Sequence, residues 1–284
     1  MATPSPTQPG QPLTERSARV ASSRKLLRRA ARTREGAFLA EGPQAVREAV
    51  AFHGRAHPRG LRVHVDEVYA DPQASDRHAD IRRNAVAAGI PVHQATAKAL
   101  ASLSDSVTPQ GIVARCAVLD VPIADVLANG PRLLAVPVDV RDPGNAGTIA
   151  RCADAAGADG VVLAGESVDL YNPKTVRASV GSIFHIPAAR AADPAAAVNA
   201  IRDAGLQVIA TEGEADLDLD ELIDRGGLTP PTAWLFGNEA HGLPDEIAEL
   251  ADVRVRIPIR GLAESLNLST AAAICLFASA RAHR

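Results

Sequence analysis

The stretch from Leu133 to Leu163 constrains the fold more than any other part of this chain. It begins with an apolar run at 133–139, typical of a buried strand, and it ends with a second apolar run at 160–163. Between the two runs lie the turn Asp142-Pro-Gly-Asn145 and a segment of helical pattern that ends near Gly157. A strand, a glycine-containing turn and a helix leading to the next strand form a βα unit. Ligands of α/β proteins commonly bind in such units.

The second half of the chain repeats this alternation. Strand-like runs are predicted at 133–139, 160–163, 183–186, 206–211, 232–236 and 252–257. Helical patterns separate most of them, the clearest at 193–204, and an apolar, Ala-rich helix at 266–281 is expected to be buried. Regular alternation of strands and helices predicts a mainly parallel sheet with helices on both faces.

The first half predicts a smaller α/β domain. Its expected elements are helices at 17–34, 43–52 and 77–88, and strands at 36–42, 63–70, 89–93 and 111–118. The predicted organisation is therefore a disordered polar tail at 1–14, a small domain at 15–118, a linker at 119–131 and a second domain at 132–284.

Composition narrows the functional classes. The chain has 284 residues, 46% of them hydrophobic, and a net charge of -3, so it can form a packed core and is not a uniformly basic protein. No apolar run is long enough to span a bilayer, and the three cysteines show no metal-ligand spacing. We therefore expect a reduced, cytoplasmic protein with no membrane partner and no metal site.

One segment departs from this balance of charge. Eight Lys or Arg residues fall between Arg16 and Arg34 with no acidic residue among them. Such a run is either a solvated helix face or a surface that contacts a polyanion such as RNA.

Polar residues follow three of the predicted strands. Asn145 and Arg151 follow the strand at 133–139, Glu239 follows that at 232–236, and Ser265 and Asn267 follow that at 252–257. Each residue has an ordinary structural interpretation as a helix cap, turn or surface group. Together, in loops at strand ends, they predict one site that handles an anionic, hydroxyl-bearing substrate.

These segments resemble the three sequence motifs of the SpoU/TrmH family of RNA ribose 2′-O-methyltransferases in the SPOUT superfamily. The matching residues are Asn145 and Arg151 in the first motif, Gly237-Asn238-Glu239 in the second, and Glu264-Ser265-Leu266-Asn267 in the third. The segment 172–181 also resembles the family. Segments 38–42 and 103–111 are similar to the substrate-binding domain that often precedes the catalytic one. Ala240 departs from the pattern, since the second motif often has glycine there.

The resemblance implies an S-adenosylmethionine-dependent methyltransferase with a trefoil knot in its carboxy-terminal domain and a homodimeric assembly. Implied catalytic residues are Asn145, Arg151, Glu239, Ser265 and Asn267. Implied cofactor contacts are Thr211, Glu212, Gly213, Gly237, Ile257, Ile259 and Leu266. Candidate RNA contacts are Arg24, Lys25, Arg28, Arg29, Arg32, Lys174 and Arg177.

The resemblance implies that Arg151 is the central catalytic residue, that Asn145 and Glu239 orient it, and that Ser265 and Asn267 shape the site. We expect Arg151 to clamp the phosphate beside the reacting hydroxyl and to polarise that hydroxyl, with proton removal shared with the phosphate or solvent. A guanidinium pKa above about 12 argues against Arg151 as a simple general base. The two-domain organisation favours 23S ribosomal RNA as substrate. Transfer RNA and a non-catalytic RNA-binding role remain open as alternatives. A nicotinamide-dependent oxidoreductase is disfavoured because no G-x-G-x-x-G segment follows the first strand.

Overall fold

A computed structural model describes residues 11–72 and 77–284 of the chain. The strands are β1 Ala37–Glu41, β2 Val65–Ala70, β3 Val92–Gln94, β4 Ile112–Ala117, β5 Leu133–Pro137, β6 Gly160–Ala164, β7 Ala188–Ala191, β8 Gln207–Thr211, β9 Leu217–Asp218, β10 Thr232–Phe236 and β11 Val253–Arg256. The helices are α1 Ala18–Arg24, α2 Arg29–Glu35, α3 Pro43–Phe52, α4 Ala79–Ala87, α5 Ala97–Ser102, α6 Ile123–Leu127, α7 Pro143–Ala155, α8 Pro173–Ser179, α9 Pro194–Asp203, α10 Leu219–Asp224, α11 Asp245–Ala248 and α12 Leu268–Ala282. Short 3₁₀ turns occupy Lys25–Leu27 and Ser182–Phe184.

The chain divides into two compact units. Unit 1 comprises the residues up to Leu119 together with Asp169–Phe184, and unit 2 comprises Asp120–Val168 and His185–Arg284. The segment 169–184 therefore folds with the first half of the chain, although it lies between two strands of the second unit. Its place in unit 1 is held by aromatic contacts, since the ring centroid of Phe38 lies 4.6 Å from that of Tyr171 and 6.0 Å from that of Phe184.

Unit 1 contains a four-stranded sheet in the order β1-β4-β2-β3. Strand β4 is antiparallel to β1 and β2, and β3 is parallel to β2. A buried cluster that includes Val20, Leu26, Leu100 and Val113 packs the amino-terminal helices against this sheet.

Unit 2 contains a seven-stranded parallel sheet in the order β7-β6-β5-β10-β8-β11-β9. Its strands β5, β6 and β10 are buried on both faces, as a sheet covered by helices on each side requires. Helix α12 packs against α7 and β10, and the buried Trp234 indole donates a hydrogen bond to the Ser279 hydroxyl at 2.9 Å. Because all seven strands run the same way, the loops after β5, β8, β10 and β11 lie at one edge of the sheet.

The predicted fold class is confirmed, and the structure corrects two predicted elements. The helix expected at 17–34 breaks at Arg28, whose backbone is extended, because the carbonyls of Leu26 and Leu27 accept hydrogen bonds from the Arg32 guanidinium. The strand expected at 183–186 is wrong. Residues 183 and 184 belong to a buried 3₁₀ turn, residues 185 and 186 follow it, and the strand begins only at Ala188.

The polar tail predicted at 1–14 falls largely on residues 1–10, which lie outside the described residues. Of the rest, Leu13 forms a parallel bridge with Ala95, and its amide donates to the carbonyl of Gln94 at 2.7 Å. Ordered chain therefore begins before residue 15.

Candidate functional site at the carboxyl ends of the parallel strands

Three side chains from three loops form a hydrogen-bonded chain in unit 2. Asn145 Nδ2 donates to Glu239 Oε1 at 2.8 Å, and Asn267 Nδ2 donates to Asn145 Oδ1 at 3.0 Å. The structure thus brings together one residue from each sequence motif, across 94 and 122 positions of the chain.

Helix caps hold the two amides in place. Asp142 is the N-cap of α7, and its carboxylate accepts a hydrogen bond from the backbone N–H of Asn145 at 2.9 Å. Asn267 is the N-cap of α12, and its Oδ1 accepts from the backbone and hydroxyl of Ser269 at 2.9 and 2.6 Å. Because Oδ1 of Asn267 is occupied in this way, its Nδ2 faces Asn145, and the direction of the whole chain is determined.

The loop after β10 carries Glu239 and is shaped by Asn238, which the sequence did not mark as a separate site residue. Asn238 Nδ2 donates to the carbonyl of Asp139 at 2.7 Å, and its Oδ1 accepts from the Ala240 amide at 2.8 Å. The backbones of Asn238 and Gly242 also exchange two hydrogen bonds, at 2.8 and 2.9 Å. This tight turn places Glu239 beside Asn145. In the sequence, Asn238 is marked only as part of the motif Gly237-Asn238-Glu239.

A cavity of about 600 Å³ opens beside this network. It is bounded by the ends of β8 and β11 and by the loop that leads to α12. Six of the seven residues predicted to bind a cofactor line it, namely Thr211, Glu212, Gly213, Ile257, Ile259 and Leu266. The volume falls in the range of small-molecule sites, and a mixture of apolar side chains and exposed backbone suits an adenosine-like ligand.

Gly237 is the exception among the predicted cofactor contacts, because it does not line the cavity. The structure assigns it a packing role. A Cβ at this position would lie 2.2 Å from both the carbonyl carbon of Gly242 and the amide nitrogen of Leu243. Glycine at 237 is therefore required by the close approach of the chain that closes the turn.

Ser265 and Glu264 also line the cavity, together with Arg256. Ser265 was predicted as a catalytic residue, whereas Arg256 was not predicted. The Arg256 guanidinium donates to the carbonyls of Ala215 and Asp216, each at 2.6 Å. It therefore ties β11 to the loop after β8, which carries two of the residues that line the cavity.

Arg151 does not join the hydrogen-bonded chain. It is exposed on α7, and its guanidinium forms no hydrogen bond or ion pair with any residue of the described ranges 11–72 and 77–284. Six residues along an α-helix correspond to a rotation of about 240°, so Arg151 projects about 120° away from Asn145 around the helix axis. The expectation that Asn145 and Glu239 orient the Arg151 guanidinium is therefore not met within this chain.

The residues predicted to contact RNA fall into two groups. Arg24, Lys25, Arg28 and Arg29 are exposed and form no ion pair with the part of the chain that the structure describes. Arg32 is only 4% exposed, because its guanidinium is bound to Asp169 and to two backbone carbonyls. Burial removes Arg32 from any surface that could touch RNA.

The remaining two predicted RNA contacts, Lys174 and Arg177, lie on or beside α8 in unit 1. Lys174 is exposed, and Arg177 forms ion pairs with Glu41 at 3.1 Å and with Asp105. Burial alone would lower the pKa of Arg177, but hydrogen bonds and charge from Asp105 and Glu41 outweigh it and raise the pKa. Two carboxylates thus neutralise this guanidinium before any phosphate approaches.

Two other kinds of site are absent from the described ranges. No cluster of three His, Cys, Asp or Glu side chains there could hold a metal ion. No helix of that part of the chain is both long and apolar enough to cross a membrane.

Comparison with known proteins connects this geometry to a family. Residues 132–277 match the family model described as the SpoU rRNA Methylase family, and residues 17–114 match the MRM3-like substrate binding domain. The chain is 32% identical over 257 residues to the 23S rRNA (guanosine(2553)-2'-O)-methyltransferase RlmP of Bacillus subtilis (strain 168). That alignment covers 89% of this chain and 92% of that protein.

Two solved structures agree over nearly the whole length. The AdoMet-bound rRNA methyltransferase from Sinorhizobium meliloti superimposes with a TM-score of 0.76 at 32% identity, covering 94% of this chain and 96% of that chain. The SpoU methyltransferase AviRb from Streptomyces viridochromogenes, in complex with AdoMet, gives a TM-score of 0.76 at 32% identity, covering 93% of this chain and 98% of that chain.

Proposed function

Because the chain belongs to the SpoU rRNA methylase family, we propose that it methylates a ribose 2′-hydroxyl in 23S ribosomal RNA with S-adenosylmethionine as methyl donor. One observation carries the proposal. The hydrogen-bonded chain of Asn145, Glu239 and Asn267 joins all three family motifs, and it is continuous along the backbone with a cavity of cofactor size.

The cavity suits this cofactor in size and in charge. It is lined by Glu212 and Glu264, whose carboxylates complement a ligand with an ammonium and a sulfonium group, and by the apolar Ile257 and Leu266. When bound, S-adenosylmethionine supplies an electrophilic methyl group on sulfur.

The residues of the chain supply position and polarity. A ribose hydroxyl is a weak nucleophile, so alignment and removal of its proton decide the rate. Asn145 and Asn267 each carry two amide protons, of which one is used within the network, and Glu239 has a second carboxylate oxygen. These groups can orient a hydroxyl without losing the contacts that hold them.

Arg151 is proposed to bind the phosphate next to the reacting ribose. Its side chain is exposed and unpaired within the described residues, so its charge is available to an anion. We expect Arg151→Ala to abolish methyl transfer while the dissociation constant of S-adenosylmethionine stays within about twofold. Equal loss of both would mean that Arg151 supports the fold or the cavity instead.

The test is transfer of tritium from labelled S-adenosylmethionine to separate pools of protein-free ribosomal RNA and transfer RNA, for the wild type and Arg151→Ala. Label in ribosomal RNA, recovered as 2′-O-methylnucleoside and lost in the variant, is the expected result. Label found only in transfer RNA would mean that transfer RNA, and not ribosomal RNA, is the substrate. Cofactor binding without methyl transfer to any RNA or ribosomal particle would favour a non-catalytic RNA-binding relative.

RNA affinity is proposed to depend on the exposed basic group Arg24, Lys25, Arg28 and Arg29. Each phosphate neutralised by a basic residue adds to the salt dependence of binding. Changing Arg28 and Arg29 together to Glu should weaken RNA binding and flatten its salt slope. Arg82→Glu with Arg83→Glu on α4 gives the same change of charge elsewhere in unit 1, and it should leave the slope unchanged. An unchanged slope in the first variant would exclude Arg28 and Arg29 from the interface.

A homodimer is proposed on the basis of the family resemblance and of exposed apolar side chains on α12. Ile274 and Phe277 are 39% and 51% exposed. Phe277→Asp should give a monomer in sedimentation equilibrium, whereas Ile223→Asp on α10, a residue that is 40% exposed, should not. The trefoil knot, the domain limits 15–118 and 132–284, and a cytoplasmic location remain predictions.

A further inference from the structure

Unit 1 contains a second cavity that the proposed methyl transfer does not use. Its volume is about 300 Å³, and its walls come from the end of β1, the start of α3, the loop 104–110 and the end of α8. Its polar lining consists of Glu41, Gln44, Ser106, Gln110 and Arg177. A cavity of this size fits one ring system rather than a folded RNA element.

The charges of this cavity disfavour an anion. Arg177 Nη1 donates to Glu41 Oε2 at 3.1 Å and to an oxygen of Asp105, and Glu41 Oε1 accepts from the Ser104 hydroxyl at 2.6 Å. Two carboxylates therefore face one guanidinium. A phosphate here would meet a local excess of negative charge, so the cavity disfavours an anionic ligand.

The remaining polar groups suit a neutral, planar ligand. Gln44 and Gln110 each offer a carboxamide that both donates and accepts, and the Ser106 hydroxyl accepts from the Thr108 amide at 3.3 Å while keeping its own proton. The edges of a nucleobase carry the same mixture of donors and acceptors. A guanidinium held in place by two carboxylates also provides a flat surface on which a base can stack.

One residue of these walls has a strained backbone. Val180, which lines the cavity, is a β-branched residue with a φ of 51°, a conformation that such residues rarely adopt. Gly42 has a φ of 93°, and a Cβ there would lie 3.0 Å from Gln110 Oε1. Strained residues of this kind tend to cluster at ligand sites, where the surrounding structure maintains them.

We propose that this cavity binds one unstacked nucleobase of the RNA substrate, held by the Gln44 and Gln110 amides and stacked on Arg177. The inference rests on the proposed function and deepens it. It also changes the role predicted for Arg177, from a phosphate contact to a stacking surface for a base.

The first test compares the double variant Gln44→Ala, Gln110→Ala with Gln94→Ala, a matched change at an exposed glutamine of β3. We expect the double variant to raise the KM for ribosomal RNA about tenfold, with kcat and the dissociation constant of S-adenosylmethionine unchanged. The salt slope of RNA binding should stay the same, because a base contact releases no counterions. An unchanged KM, or a reduced salt slope, would overturn the proposal.

The second test does not require methyl transfer. The full chain, labelled with ¹⁵N, is titrated separately with adenosine, guanosine, cytidine, uridine and inorganic phosphate, and the glutamine side-chain amide signals are followed by NMR. Shifts of the Gln44 and Gln110 signals with at least one nucleoside, and not with phosphate, support the proposal. Shifts with phosphate alone, or with none of the five, overturn it. Failure of the wild-type protein to methylate RNA would count against the proposed function, but the NMR titration would still test nucleobase binding.

Discussion

Replacing Arg32 with Met should destabilise unit 1 by about 3–5 kcal/mol, the usual cost of removing one partner from a buried ion pair. The guanidinium donates to Asp169 Oδ2 through Nε at 2.9 Å and through Nη2 at 2.7 Å, and it donates to the carbonyls of Leu26 and Leu27 at 2.8 and 3.0 Å. Methionine fills much of the same volume and has a similar helix propensity. The loss of stability therefore reports the removal of polar contacts and not the creation of a cavity.

The magnitude follows from what remains after the change. Asp169 Oδ1 still accepts from the Tyr171 amide at 3.0 Å, but Oδ2 loses two charge-assisted bonds in a buried site. Each such bond contributes about 1.5–3 kcal/mol, and two carbonyls also lose a donor. Adding Asp169→Leu to Arg32→Met removes the uncompensated charge and should restore part of the stability.

The assay is native-state amide hydrogen exchange of β1 and β4, which reports unit 1 directly. The single tryptophan, Trp234, lies in β10 of unit 2, so its fluorescence is not a substitute. Arg29→Met is the matched control, because Arg29 is exposed and in the same helix, and it should change stability by no more than about 0.5 kcal/mol. Equal exchange in Arg32→Met and Arg29→Met would refute the reasoning.

Further outcomes are expected at the site and in the pH dependence. Arg256→Ala should raise the dissociation constant of S-adenosylmethionine about tenfold by calorimetry and speed hydrogen exchange of residues 212–218, whereas Arg254→Ala on the same strand should do neither. Asn145→Asp places a carboxylate against Glu239, so single-turnover methyl transfer should fall at least about 100-fold while cofactor affinity stays within about twofold. Burial lowers the pKa of His53 and His93 below 6.5, so the unfolded chain binds protons more readily than the native chain. The contribution of these two histidines to the free energy of unfolding is complete above pH 6.5 and is lost as the pH falls towards their lowered pKa values. Replacing both with Gln should therefore reduce the change in the urea midpoint of unfolding between pH 7.5 and 5.5.

The sequence by itself determined the architecture of unit 2 and the loops that form its site. Strand periodicity and glycine turns act over a few residues, so they can be recognised without knowing distant contacts. Parallel strands then place their carboxyl ends together. This is why Asn145, Glu239 and Asn267 could be grouped before any distance was known.

Only the tertiary structure decided the roles that depend on long-range packing. In the sequence, Arg32 is one more basic residue of a cationic run. In the structure it is buried against Asp169, which is 137 positions away. The segment 169–184 lies between strands of unit 2 along the chain but folds with unit 1, and its last three residues form a buried 3₁₀ turn and no strand. Glycine at 237 allows the backbone of Gly242 to pass close to it. The charge of Arg177 is neutralised by Glu41 and Asp105. In each case the deciding partner lies outside the local window, and burial and charge pairing exist only once the chain has folded.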